Sequence, residues 1–172
     1  MKGILIVDHG SVRAEANDMM LCMANLLQSM TGPDVVVSYA HMDLADPDIA
    51  AGFADCVQRG ATDVVVFPYM LSPGRHSTTD IPRMVAGAAK PFPHVTFSVT
   101  PAFGVHEKLG ELILERAGIE PVKAFVGSEA DRCWDPDCSE TLCGDACRAK
   151  TARQTATLRQ TAGAENLVSD AD

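Results

Sequence analysis

Two histidines follow apolar runs that read as buried strands. His9 comes directly after Ile4-Leu-Ile-Val-Asp8, and His76 follows Val64-Val-Val-Phe67 across a short loop containing Gly74 and Arg75. Imidazole exchanges protons near neutral pH and ligates first-row divalent metal ions. Two imidazoles converging on one crevice therefore suggest either metal handling or proton transfer. A carboxylate, Asp43, and a further histidine, His41, stand after the next apolar run, Val35-Val-Val-Ser-Tyr39.

Convergence requires elements that bring distant residues to one edge. Residues 3–7, 35–39, 63–67 and 95–99 read as short strands, and helical spacing fills 13–30, 47–59, 80 onward and 105–117. Thr31-Gly32-Pro33 stops the first helix, and Pro47 is placed to open the second. Strands that each precede a helix pair in parallel, so the pattern predicts an α/β fold. It is a doubly wound, four-stranded parallel sheet with helices on both faces. In such sheets the crevice outside the carboxyl ends of the strands binds ligands. The predicted α/β domain spans residues 1–118, and a cysteine-rich extension spans 119–172.

Composition limits the partners. The formal charge of −9 over 172 residues argues against a broad nucleic-acid surface, which needs clustered cations. No apolar run approaches the roughly 18 residues needed to cross a bilayer, and no export signal precedes the first strand. The expectation is a cytoplasmic protein without membrane or nucleic-acid partners. In the extension, Cys133, Cys138, Cys143 and Cys147 are separated by four, four and three residues. Four thiols suffice for a metal site, but the spacing matches neither common zinc pairs nor common ferredoxin patterns. An iron–sulfur cluster, zinc, transient metal capture and disulfides all stay open. Residues 148–172 contain too few large apolar side chains to bury a core and are expected to be disordered.

Four landmarks occur in order. These are His9-Gly-Ser11 with Arg13, Leu44-Ala-Asp-Pro-Asp-Ile49, Pro68-Tyr-Met-Leu-Ser-Pro-Gly-Arg-His-Ser-Thr-Thr-Asp-Ile-Pro82, and Pro101-Ala-Phe-Gly-Val-His106 with Leu109. Together they resemble the sirohydrochlorin chelatases, the small class II enzymes that insert cobalt, iron or nickel into sirohydrochlorin. The likeness covers residues 3–118. It implies a single-lobe lyase, paired as a homodimer, that serves cobalamin, siroheme or another tetrapyrrole route. It also implies roles for particular residues: His9 and His76 as metal ligands and proton acceptors, with Asp43 as a third ligand or a base. Arg13 and Arg75 would meet substrate carboxylates, while Gly10, Ser11 and Gly74 would admit the flat macrocycle. Asp8 departs from the small residue expected before the first histidine, and could orient His9 or point away. His106 reads as a helix cap and His94 as surface. The rival reading is a metal-delivery protein that uses the same histidines and the cysteine tail without touching a tetrapyrrole.

Overall fold

The central strand explains the architecture. Its Ile4-Leu-Ile-Val7 run is apolar at every position, as a strand covered on both faces must be. A computed structural model describes residues 1–120. In it β1 (Lys2–Asp8) pairs in parallel with β2 (Val35–His41) on one side and β3 (Asp63–Pro68) on the other. β4 (Thr96–Val99) extends the sheet beyond β3, giving the order β2-β1-β3-β4. Leu5 and Val7 pack with Ile49, Phe53, Val64, Val66, Ile81 and Val85, beneath α2 (Ile49–Gln58) and α3 (Ile81–Ala89). Ile6 and Val37 instead meet Met20 and Ala24 of α1 (Ala14–Met30) on the opposite face. The predicted doubly wound parallel sheet is thus observed.

Element boundaries differ from the sequence expectation where local capping or strand pairing outweighs propensity. Pro47 does not open α2. Asp48 caps it, its carboxylate accepting from Ala51 N–H over 2.7 Å, so the helix starts at Ile49. β2 runs two residues past the expected Tyr39, because Ala40 and His41 pair with Val7 and Asp8 of β1. The helical segment expected from residue 80 starts earlier, at His76, which opens a π-helical turn, His76–Asp80, that feeds directly into α3.

β2 is an edge strand, and edges invite unwanted pairing unless covered. Here side chains occupy its outward backbone groups. Gln28 accepts from Val37 N–H and donates to the Val35 carbonyl, both over 2.9 Å, while Arg59 donates to the Val37 carbonyl over 2.8 Å. Residues 1–104 form one compact unit, and a second begins at Val105. Within the latter, α4 (Glu107–Arg116) is capped by His106, whose Nδ1 accepts from Lys108 N–H over 3.1 Å. The extension beyond Glu120, with its four cysteines and the expected disordered tail, lies outside the described residues. Among the described residues, no helix is long and apolar enough to cross a membrane.

Two helical glycines make opposite predictions. A Cβ on Gly52 would lie 2.8 Å from both Leu5 Cδ1 and the Tyr39 carbonyl oxygen, so α2 rests on the sheet through that missing methyl. Gly52→Ala should destabilise by about 1–3 kcal/mol through overpacking, despite the better helix propensity of alanine. Gly87 in α3 has open space at the same position, and Gly87→Ala should stabilise by about 0.4–1 kcal/mol. Denaturant melts of both variants check this, and equal signs would contradict the packing.

The two described cysteines should also differ chemically. Cys56 is fully buried; burial, with help from the charge of Asp55, pushes its thiol up to about 12. Thiolate is the reactive form. Mass-spectrometric mapping after brief iodoacetamide treatment at neutral pH should find exposed Cys22 alkylated and Cys56 untouched until the protein unfolds.

Candidate metal and proton-transfer site

The site lies where the winding reverses. From β1 the chain crosses one face through α1 to reach β2, whereas from β3 it crosses the other face through α3 to reach β4. The loops leaving the neighbouring strands β1 and β3 therefore part to opposite sides and leave a crevice between them. His9 is the first residue after β1. His76 is reached through a loop whose start is tied to the sheet by Tyr69 N–H donating to the Val7 carbonyl over 2.6 Å.

In that crevice the two imidazoles stand edge to face, ring centres 5.3 Å apart and planes at 67°. Two imidazoles sharing an ion at about 2.1 Å from each nitrogen place their ring centres roughly 5 Å apart. The observed ring-centre spacing is of that scale. Both rings are open to solvent, His76 with half its side-chain surface exposed.

Each ring is held differently. His76 Nδ1 lies 3.0 Å from Asp80 Oδ2, one turn along the π-helical segment. A carboxylate there selects the Nδ1–H tautomer and turns the Nε2 lone pair outward, the arrangement that metal-binding histidines commonly use. Asp80 is largely buried and also lies within 3.7 Å of Arg75 Nε and 3.4 Å of Arg83 Nη2. Those arginines are themselves well exposed, so these ion pairs add little to stability. Asp80 entered the sequence reading only as a helix start; its spacing of four from His76 was the signal available.

His9 is fixed mainly through its backbone. The His9 carbonyl accepts from Asp43 N–H over 3.1 Å, and the Asp8 carbonyl accepts from Met42 N–H over 2.8 Å. Gly10 has φ +82°, and a Cβ there would run into the Asp43 carbonyl oxygen. Glycine at this position is thus explained by contact between the loops after β1 and β2. Gly74, in contrast, faces open space. Ser11 is clamped by Asn17, which accepts from Ser11 N–H over 2.9 Å and donates to the Ser11 carbonyl over 2.8 Å. The Ser11 hydroxyl accepts from Arg13 N–H over 3.1 Å. Asn17 too escaped the sequence reading. Arg13 is exposed beside this loop.

The remaining candidates separate. The exposed Asp43 carboxylate accepts from Leu44 N–H over 2.8 Å, and among the described residues no three His, Cys, Asp or Glu side chains gather as one metal set. His41 is fully buried as the last residue of β2, not in a loop after it. Its Nδ1 donates to Asp8 Oδ1 over 2.6 Å, and that oxygen also accepts from Gly10 N–H over 2.9 Å. Asp8 therefore contacts His41 and Gly10 rather than the ring of His9. His94 is exposed ahead of β4.

Residues 3–119 match the CbiX family. Over 131 residues the chain is 43% identical to a chloroplastic sirohydrochlorin ferrochelatase from Arabidopsis thaliana, covering 76% of this chain and 57% of that protein. It is 34% identical over 116 residues to a sirohydrochlorin cobaltochelatase from Priestia megaterium, covering 67% and 37% respectively. The chain thus spans about half the length of the curated relatives it matches. Among solved structures, a sirohydrochlorin chelatase from Bacillus subtilis subspecies spizizenii in complex with cobalt superposes with a TM-score of 0.63 at 28% identity, over 68% of this chain and 50% of that one. In sequence and in fold alike, the chain belongs to the CbiX family of sirohydrochlorin chelatases.

Proposed function

We propose that the protein inserts a divalent metal ion, Co²⁺, Fe²⁺ or Ni²⁺, into sirohydrochlorin. The carrying observation is the pair of solvent-open imidazoles, 5.3 Å apart at the reversal of the sheet. In the reaction two N–H bonds of the macrocycle break and release two protons, while four metal–nitrogen bonds to the ring form as the ion gives up its bonds to imidazole and water. His9 and His76 hold the incoming ion and take up protons as it passes to the ring. Asp43, on the same edge, adds a carboxylate to the ion or to the proton path. Arg13 and Arg75 lie exposed beside the crevice and suit the carboxylates of the macrocycle. Gly74 leaves room for a flat ring above the loop. A homodimer whose partner closes the cleft completes this reading. The four cysteines of the extension stay outside this reaction scheme.

Purified protein should accelerate the spectral change when Co²⁺ meets sirohydrochlorin. His76→Ala should lower kcat/KM by about 100-fold or more, the scale of losing a positioned proton acceptor, with an unchanged circular-dichroism spectrum. Metal binding without any acceleration would favour the metal-delivery reading. Rates across the three ions identify the preferred substrate metal.

Asp80 provides a second check. Asp80→Ala frees the His76 ring, and loss of such an orienting partner costs about 10–100-fold in metal affinity or activity. Arg83→Ala, which removes only a weak exposed contact to the same carboxylate, should stay within about twofold of wild type. Equal effects of the two would remove Asp80 from this role.

A further inference from the structure

We infer that the buried His41–Asp8 pair is a positioning device for His9. This rests on the metal-handling reading above and assigns a function to two residues outside the reaction scheme. His41 cannot reach an ion or a macrocycle, because its side chain has no exposed surface. What it does reach is Asp8 Oδ1, at 2.6 Å, and the same oxygen receives the Gly10 N–H at 2.9 Å. One carboxylate oxygen thus joins the end of β2 to the residue just past His9. The Asp8 and His9 carbonyls are tied to Met42 and Asp43 of the loop after β2, so the backbone is pinned immediately before, at and after His9.

The chemistry of His41 favours a fixed role. Donation to Asp8 sets the Nδ1–H tautomer and leaves Nε2, which has no hydrogen-bond partner among the described residues, as a buried lone pair. Leaving a buried polar atom unpaired costs on the order of 1–3 kcal/mol. An apolar residue of similar size would avoid that cost, so the gain from histidine at this position lies in its Nδ1 bond. Tyr39 stacks edge-on at 5.7 Å and confines the ring. Besides its edge-to-face contact with His76, the exposed ring of His9 has among the described residues a single hydrogen-bond contact, 3.4 Å to its neighbour's carbonyl, far weaker than the Asp80 bond that holds His76. With no side-chain partner of comparable strength, His9 takes its position from its backbone, and Asp8 with His41 sets that backbone.

The test is Co²⁺ affinity of the full chain by calorimetry, with His9→Ala defining the share that belongs to the imidazole pair. His41→Leu removes the donor at similar volume and should weaken that share by about 10–100-fold. His41→Asn, whose amide nitrogen can stand in for Nδ1, should restore it to within about threefold. In the chelation assay His41→Leu should raise KM for Co²⁺ more than it lowers kcat, and His41→Asn should return both toward wild type. If His41→Leu fails to fold, Asp8→Ala, at a partly exposed position, carries the same expectation. Unchanged affinity in a folded variant, an Asn variant as weak as Leu, or no His9-dependent Co²⁺ binding in wild type would overturn the inference. Normal Co²⁺ binding without chelation would instead remove the proposed reaction and leave the positioning role standing.

Discussion

Everything at the site depends on β1 being hydrogen-bonded on both sides. Its register sets Val7 beside both Ala40 and Pro68, and Asp8 beside His41, so three strands end at nearly the same level and their following loops start together. Leu5, Ile6 and Val7 are essentially inaccessible. Each such side chain contributes about 1.5–3 kcal/mol on burial, against a typical net stability of about 5–15 kcal/mol for a domain. A defect in β1 is therefore a defect of the whole fold, and the geometry of the imidazoles inherits the rigidity of the best-buried strand.

The two imidazoles draw on this rigidity through different bonds. His76 lies eight residues beyond its strand, too far for the sheet to orient it directly, and it is held by a carboxylate on its own turn. His9 touches the end of its strand and is oriented by main-chain bonds to the neighbouring loop. Three carboxylates, Asp8, Asp43 and Asp80, thus fall near two histidines without competing alike for an ion. Asp8 is occupied by His41 and Gly10, and Asp80 by His76 and two arginines. Arg75 and Arg83 both face the Asp80 carboxylate, so their charges are met locally.

The sequence made the strands legible because each is a continuous apolar run, and the parallel arrangement follows from the alternation of strands with helices. It also made the shared edge of His9 and His76 legible, since both follow strands of one sheet. What it hid was the hydrogen bonding. Asp8 and His41 are 33 residues apart and meet only through the β1–β2 register, so no spacing could reveal them. Pro47 carried a misleading helix-start signal because Asp48, next to it, is the better cap. Asp80 was visible but ambiguous, as an aspartate ahead of Ile-Pro reads equally as a helix start and as a partner four residues from His76. Propensity is local, whereas the shell of bonds around each histidine depends on tertiary neighbours.

An insertion site must satisfy a constraint that a storage site does not. Four thiolates or imidazoles around an ion close its coordination sphere, and the bound state is then too stable to hand on. Two neutral imidazoles leave positions open for incoming pyrrole nitrogens, and each new metal–nitrogen bond can form before an imidazole bond is lost. Among the described residues the crevice gathers this pair and no third side-chain donor beside it. Its solvent-open face, with Asp43 at the margin, leaves the approach to the ion free on the side where a flat ring would have to come. Orientation is then the property under tightest control. A loosely held ion transfers productively only if both lone pairs aim at one point, and the polar contacts nearest the two rings are the Asp80 carboxylate at His76 and the His41–Asp8 pair beneath the backbone of His9.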